Sequence, residues 1–460
     1  MVDAIVIGGG ITGSGVARDL ALRGLSVTLL EKSYPGAGAT GRCHGLLHSG
    51  ARYAVKDPRA AAECASENLV VKKIAPHCVE ETGGVFLAID EADVAYGDML
   101  LQACRAAGVP IDEQSPAESL NPDALRCFGT RDAAVDPFLL TLANLYDAYR
   151  AGASIIVGTG VKRIGEGFVE TSDGSILKAD AIVNAAGCEC ANLLEASGRQ
   201  APAVQPDHGT LLVTERRVCD QVVNRMRLPG DGDIIVPGHS TSIIGTTSQK
   251  SASTIPLRTE YHKLIREAVA LLPQVKGARI IRAFSGIRPL LGSGDGRSLS
   301  RDYKIFEDAG LITIAGGKLT TYRLVAEHAS DAVMRMLGKT GRCSTMSEPL
   351  PDVRREAQGA IECRCESAGH RIIDMPFLKN TDVSRFNRLG FGACQGMRCA
   401  RFSNAPEDFL QERWKGVKPV IDEGQFQQAY LSWASYKTRM GDRWPGEMNS
   451  MPGNGGSSSE

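Results

Sequence analysis

The sequence predicts an α/β protein built on a parallel sheet, and three observations predict it. A short continuous apolar run, Ala4-Ile5-Val6-Ile7, opens the chain. It stops at a glycine cluster, Gly8-Gly9-Gly10-Ile11-Thr12-Gly13. Val16, Leu20 and Leu22 then recur at helical spacing, and a second apolar run follows at Leu25–Leu30. Continuous apolar runs are the form of strands buried on both faces, as in a parallel sheet. Strand, turn, helix and strand within about thirty residues make a βαβ unit. In Gly8-x-Gly10-x-x-Gly13 each glycine has a task. Gly8 permits the tight turn, Gly10 lets backbone approach a pyrophosphate, and Gly13 allows close helix–strand packing. The helix N-terminus faces the phosphates. Glu31, at the end of the second run, is placed to accept hydrogen bonds from ribose hydroxyls. The unit is Rossmann-like and predicts dinucleotide binding.

The remaining elements follow in order. A Gly/Ala-rich loop spans Tyr34 to Gly50, and a charged helix is expected from Asp57 to about Ala75. Alternation at Gly84–Ile89 suggests a strand of a second domain. Asp136 and Pro137 are an N-cap and a first helical position. Strands are expected at Ile155–Val157, Gly167–Thr171 and Ala181–Asn184, the last running into the glycine turn Ala185-Ala186-Gly187. The stretch 208–290 is strand-rich (Leu211–Thr214, Ile234–Val236, Ile243–Thr246) and encloses a helix at about Thr259–Leu272. Leu311–Ala315 is a strand, Gly316-Gly317 a turn and Tyr322–Leu337 a long helix. Residues 341–360 have the character of a linker, 361–447 form a small cysteine-bearing module with a helix, and the Gly/Ser-rich 448–460 is a disordered tail.

Composition narrows the class. Lys and Arg total 52 against 53 Asp and Glu, so nothing favours coating nucleic acid or an anionic membrane face. The 13 cysteines are scattered along 460 residues and do not resemble a secreted disulfide framework. The N-terminus shows no signal-peptide pattern, and no run reaches the roughly 18 apolar residues of a membrane span. A cytoplasmic protein is expected, meeting a membrane only through a partner.

Several short segments occur in a telling order: Gly38-Ala39-Thr40-Gly41-Arg42, His44–Tyr53, Val135-Asp136-Pro137, Asn184–Gly187, Ser285–Leu290 and Gly316–Arg323. Together they resemble the FAD-dependent glycerol-3-phosphate dehydrogenases, specifically the catalytic A chains of the anaerobic enzymes, over roughly residues 1–437. The resemblance implies a discontinuous FAD domain of the D-amino-acid-oxidase type (1–75, 135–207 and 285–340) with an inserted antiparallel-sheet substrate domain (76–134 and 208–284). It implies that Lys32, Thr40, Gly41, Arg42, Leu46, Ala186, Gly187, Gly317, Lys318, Leu319 and Thr320 join Gly8, Gly10, Gly13 and Glu31 around FAD. A second strand-end glycine turn agrees, since it lets backbone approach a flat cofactor closely.

The resemblance also places Arg52, Tyr53, Arg288 and Lys318 in the substrate pocket. Arg offers a planar fork to phosphate and Lys a point charge. Arg323 either joins them or only pairs with a neighbouring acid, and His208 either lines the pocket or is structural. His48 is the candidate base, with Arg288 and Lys318 beside it, because neutral imidazole can accept a hydroxyl proton as hydride leaves carbon. His44 is a competitor.

Cys363-x-Cys365 and Cys394-x₄-Cys399 make two close thiolate pairs, suited to a metal or a 2Fe-2S cluster. The spacing leans away from zinc. It is similar to the bacterioferritin-associated-ferredoxin-like domain that ends the anaerobic A chains, with a shorter gap between the pairs. Cys188-Glu189-Cys190 has no second pair nearby and reads as structural. Trp414 lies in a stretch that either packs or seats a partner subunit. The function expected is oxidation of sn-glycerol 3-phosphate to dihydroxyacetone phosphate, with electrons passing to partner subunits and the quinone pool. The alternatives are a flavin dehydrogenase of a 2-hydroxy acid or amino acid, and a non-catalytic subunit that retains FAD as a relay.

Overall fold

The computed structural model describes residues 1–116, 120–297, 299 and 302–356, then 363, 365–366, 370–379, 386–389, 391–394, 431, 434 and 437–438. Strand β1 (Val2–Ile7), helix α1 (Ile11–Leu22) and strand β2 (Val27–Glu31) form the predicted βαβ unit, with Ala4 opposite Val27 and Ile7 opposite Leu30 in parallel register. Strand β3 (Leu46–Leu47) leads through a 3-10 turn at Ala51–Tyr53 into α2 (Pro58–Ile74). Asp57 caps α2 by accepting from the Ala60 N–H at 3.0 Å. Strand β4 (Val79–Glu80) precedes β5 (Gly84–Ala88), α3 (Glu91–Ala106), β6 (Ile111–Gln114), β7 (Arg126–Thr130) and β8 (Ala133–Val135). Helix α4 (Pro137–Arg150) begins as predicted at Asp136, whose carboxylate accepts from the N–H groups of Phe138 and Leu139 at 3.0 Å each.

Strands β9 (Ser154–Val157), β10 (Val161–Ile164), β11 (Phe168–Thr171) and β12 (Ile176–Asn184) follow, then α5 (Cys190–Ala196). The chain next runs through β13 (Val204–Thr214), β14 (Val222–Arg225), β15 (Ile234–Gly238), β16 (Thr241–Gly245), β17 (Gln249–Lys250), α6 (Arg258–Leu271) and β18 (Ile280–Leu291). It ends this body with β19 (Tyr303–Asp308), β20 (Leu311–Gly316) and α7 (Tyr322–Met336), beyond which β21 (Arg354–Glu356) pairs with β22 (His370–Ile372).

Two large sheets result. The first runs β10-β11-β12-β1-β2-β9, with β20 on β12 and β19 outside β20. Its centre is parallel, while β10, β11 and β12 form an antiparallel meander. The second runs β17-β13-β16-β15-β14-β5-β7-β6, with β18 also on β13, and is antiparallel except at β14–β5. Between them β3, β8 and β4 make a small sheet.

The first core is packed under α1, where Val16, Ala17 and Leu20 meet Val6, Leu29, Leu145 and Ala329. Helix α7 comes so close to α1 that a Cβ at Gly15 would lie 3.1 Å from both Ala326 and Tyr322. The second core joins Val85, Leu212, Val223 and Ile235 to Leu264 and Leu271 of α6.

Three expectations are corrected. Helix α3 was not predicted. The second sheet is wider than 208–284, since β13 starts at Val204 and β18 runs on to Leu291. The middle of the expected 341–360 linker is packed: Leu350 and Val353 are buried beside Ile74 and Leu140, and the Leu350 N–H donates to the Ile74 carbonyl at 2.7 Å. Burying apolar side chains there outweighs the freedom a linker would keep. Among the described residues no helix is long and apolar enough to cross a membrane. Cys399, Trp414 and the tail 448–460 lie outside the described residues.

Candidate functional site

The glycine cluster at the end of β1 is a cradle that side chains would fill. Gly8 has φ +106, and a Cβ there would lie 2.6 Å from the Ala185 carbonyl oxygen. A Cβ on Gly13 would come within 1.9 Å of the Gly8 carbonyl oxygen. Gly10 differs: its φ is −74, and its Cβ would meet only Thr40 Oγ1, at 3.3 Å. It is the N-cap of α1 and offers no side-chain cap, so the first turn keeps N–H groups and the positive end of the helix dipole for an anion. Glu31 fixes the loop from beneath, accepting from the Gly9 N–H at 2.7 Å and the Ser33 N–H at 2.8 Å. Burial raises its pKa and the two backbone bonds oppose that rise. Lys32 points away to solvent, with its ammonium 3.8 Å from Glu189.

A second wall faces this cradle. Thr40 Oγ1 accepts from the Ile11 N–H at 3.1 Å, and the Gly36 N–H donates to the Gly9 carbonyl at 2.9 Å. Gly41 lies flat on Phe138 of α4, whose ring a Cβ would reach at 2.3 Å. The Arg42 carbonyl oxygen would sit 2.3 Å from a Cβ at Gly286 of β18, and Arg42 Nε donates to the Ala37 carbonyl. Leu46 is buried on β3 opposite Ala134, and Leu319 packs with Leu47 and Tyr322. Ala186 turns on a hydrogen bond to Asn184 Oδ1, leaving Gly187 (φ +61) with open space above its Cα. Gly317, at φ +95, is almost as open. The Thr320 hydroxyl accepts from the His48 N–H at 2.9 Å, tying this turn to the loop after β3.

At that junction three candidates converge. The His48 ring meets Tyr53 edge-on at 5.2 Å, and Lys318 Nζ lies 5.4 Å from the centre of the same Tyr53 ring. Lys318 Nζ is buried without a hydrogen-bond partner among the described residues. Arg52, one residue before Tyr53, is 8% exposed and donates through Nη2 to both oxygens of Asp233 at 2.8 Å. Its Nη1 is buried and, among the described residues, has no hydrogen-bond partner. Arg288 stands opposite Asp207 in the β13–β18 register. Its Nε donates to Asp207 at 2.6 Å and its Nη2 to the carbonyls of Thr247 at 2.6 Å and His208 at 3.2 Å. His44 is set against β16 instead, where a Cβ on Gly245 would lie 3.3 Å from its Nε2.

Two substrate candidates are claimed by other partners. His208 is 2% exposed, and its ring bonds the Ser253 carbonyl at 2.6 Å and Glu260 at 3.2 Å. Burial disfavours its charge, but the Glu260 bond, the Ser253 carbonyl and the Glu260 charge together outweigh burial and raise its pKa. Arg323 is 2% exposed and forks onto Glu67 at 2.6 and 2.8 Å, with Glu327 at 2.6 Å. The structure therefore brings neither to the Tyr53 corner. The aspartates behind Arg52 and Arg288 were missed. No local pattern marks them, because their partners lie far along the chain.

Among the cysteines, burial first and then the neighbouring Cys394 thiol push the Cys365 thiol up, with Cys363 contributing. Among the described residues no group of three or more ligating side chains forms a metal site. Cys188 and Cys190 are free thiols in the turn into α5 and at its start.

A family model described as FAD dependent oxidoreductase matches residues 3–331. The chain is 37% identical to the A chain of the anaerobic glycerol-3-phosphate dehydrogenase of Escherichia coli, over 91% of this chain and 93% of that one. It belongs to the FAD dependent oxidoreductases of the glycerol-3-phosphate dehydrogenase family. Glycine oxidase from Geobacillus kaustophilus shares the fold at TM-score 0.63, with 22% identity over 76% of this chain and 98% of that one. Glycerol-3-phosphate dehydrogenase from Bacillus halodurans, complexed with FAD, gives 0.57 and 23% over 95% and 82%. FAD suits the residues present in this flavoenzyme: a glycine cradle at a helix N-terminus, open glycines at two further strand ends, and an orphaned buried ammonium beside them.

Proposed function

We propose that this flavoenzyme oxidises sn-glycerol 3-phosphate to dihydroxyacetone phosphate. The observation that carries the reading is the Tyr53 corner, where an imidazole and a buried, unpartnered ammonium meet one ring and the adjacent Arg52 keeps a buried, unpartnered Nη1. A buried cation without a partner is costly until an anion arrives. A phosphate monoester carries nearly two negative charges at neutral pH and satisfies several such donors at once.

Arg52 and Arg288 bind the phosphate in this reading, each oriented by its aspartate. Lys318 stabilises the oxygen of the reacting alcohol as its proton leaves. His48 accepts that hydroxyl proton, and its main chain is anchored on Thr320 so that the ring keeps its place beside Tyr53. The cradle of Gly8, Gly10 and Gly13 and the turns at Gly187 and Gly317 hold the dinucleotide. Bound FAD supplies the acceptor for the hydride that leaves the substrate carbon.

An anaerobic absorbance spectrum before and after adding glycerol 3-phosphate tests this. Bleaching of the flavin bands is expected. Bleaching only by an amino acid or 2-hydroxy acid replaces the substrate, and no bleaching by any of them removes the catalytic reading.

We also infer that Cys363, Cys365, Cys394 and Cys399 hold a 2Fe-2S cluster facing partner subunits and a quinone pool. Their spacing and the contact between the Cys365 and Cys394 thiols support it. Anaerobically reconstituted protein should carry iron and labile sulfide, and Cys399→Ser should lose both while keeping FAD. Reconstituted wild type without iron removes the assignment.

A further inference from the structure

Arg52 sits in the 3-10 turn that follows His48, and Asp233 stands just ahead of β15 in the second sheet. They are 181 residues apart in sequence. The Asp233 side chain is 0% exposed, and its Oδ2 is itself fixed by the Gly230 N–H at 2.6 Å. Two residues earlier, Asp231 binds Lys263 of α6 at 2.6 Å and also Arg297 from the loop after β18. The Gly230–Asp233 turn is thus anchored on three sides. Among the described residues Asp233 is the one hydrogen-bond partner of the Arg52 guanidinium, and it engages Nη2 alone. The buried Nη1 is left for another acceptor.

We propose that Asp233 is the positioning residue that presents Arg52 Nη1 to the substrate phosphate, an inference that rests on the glycerol 3-phosphate reading. Arginine has many rotamers, and each must be given up when a ligand is bound. A fixed, buried carboxylate has already selected one, so the phosphate meets an ordered donor and less binding energy is lost to ordering. The pair also spans two structural units. It pins the loop that carries His48 and Tyr53 to the second sheet, so donor and base keep a fixed separation.

A carboxylate so close also repels phosphate through space, and the two effects have opposite signs. If repulsion dominates, removing the charge of Asp233 tightens substrate. If positioning dominates, it weakens substrate. The geometry favours positioning, because Arg288 keeps two carbonyl partners besides Asp207 whereas Arg52, among the described residues, has Asp233 alone.

The test is a double-mutant cycle with Asp233→Asn, Arg52→Ala and the double variant, scored by anaerobic flavin reduction. Asp233→Asn keeps the shape and one acceptor oxygen, which guards the fold, and its flavin spectrum and melting temperature report folding directly. Its KM for glycerol 3-phosphate should rise about tenfold or more, the scale of a charge-assisted bond. Its kcat should stay near wild type, and inhibition by inorganic phosphate should weaken in parallel. In the Arg52→Ala background the same substitution should add nothing to KM. A KM that is unchanged or lower in Asp233→Asn, or a rise that persists without Arg52, overturns the proposal. Wild-type protein that fails to oxidise glycerol 3-phosphate overturns the substrate reading itself.

Discussion

Adding one methyl group to the cradle should have two different consequences, depending on which glycine receives it. At Gly13 the new Cβ would lie 1.9 Å from the Gly8 carbonyl oxygen. Reaching even a tight 3.0 Å contact needs about 1.1 Å of movement between the buried Gly13 and the half-buried Gly8 backbone, which is itself held against the Ala185 carbonyl. Overpacking costs about 1–3 kcal/mol, and a rigid backbone clash belongs at the upper end. At about 2–4 °C per kcal/mol for a domain of this size, Gly13→Ala should melt about 6–12 °C below wild type even without cofactor. Gly10→Ala meets only Thr40 Oγ1 at 3.3 Å, with φ already negative. Its apoprotein should melt within about 3 °C of wild type, the scale of a weakened cap. Its methyl, however, stands at the N-terminus of α1, which the proposed reading gives to the pyrophosphate, so on that reading FAD occupancy should fall. Calorimetry of apoprotein and flavin-fluorescence titration separate the two. A Gly13→Ala apoprotein that melts with wild type, or a Gly10→Ala protein with undiminished FAD affinity, would refute the argument.

His48→Asn should slow single-turnover flavin reduction by about 10²–10⁴-fold with FAD occupancy unchanged, whereas His44→Asn should not. An unchanged rate in His48→Asn discards it as the base. Arg323→Ala strands the buried Glu67 carboxylate and should cost about 3–5 kcal/mol in denaturant unfolding, leaving the KM of the folded enzyme alone. A raised KM at wild-type stability would return Arg323 to the substrate pocket. His208 has a folded pKa above its unfolded value, so its stabilisation is complete below about pH 6.5 and is lost as pH rises through the folded pKa. The melting temperatures of wild type and His208→Gln should therefore converge as pH rises from about 6.5 through the folded pKa, and divergence would contradict the raised pKa.

What could be read from the sequence was local. The βαβ unit showed itself because both strands are continuous apolar runs and the turn needs glycine, and Asp136-Pro137 is a cap written in adjacent residues. Helix α3 hid because its inward face includes Asp93 and Gly97 beside Leu100 and Cys104, which breaks the apolar stripe. Asp93 is buried where Arg225, 132 residues away, donates to it at 2.8 Å and the Ile89 N–H at 3.1 Å. The same limit governed the site. Arg323 sits in a motif that suggests a pocket and His208 is a candidate for the same pocket, but Glu67 and Glu260 claim them across 256 and 52 residues. Spacing reports which donors exist; it is blind to which acceptors reach them first.

The packed segment after α7 decides where this enzyme can be divided. Arg18, 1% exposed, donates to Asp147 at 2.8 Å and to the Glu348 carbonyl at 3.0 Å, while Leu350 and Val353 close over Ile74 and Leu140. A chain ending at α7 would strip a partner from a buried guanidinium and open that apolar surface to water. The smallest self-sufficient oxidoreductase therefore extends past Val353. The seam at which a cysteine segment could be joined to this body or lost from it, in the laboratory or over evolutionary time, lies beyond that residue.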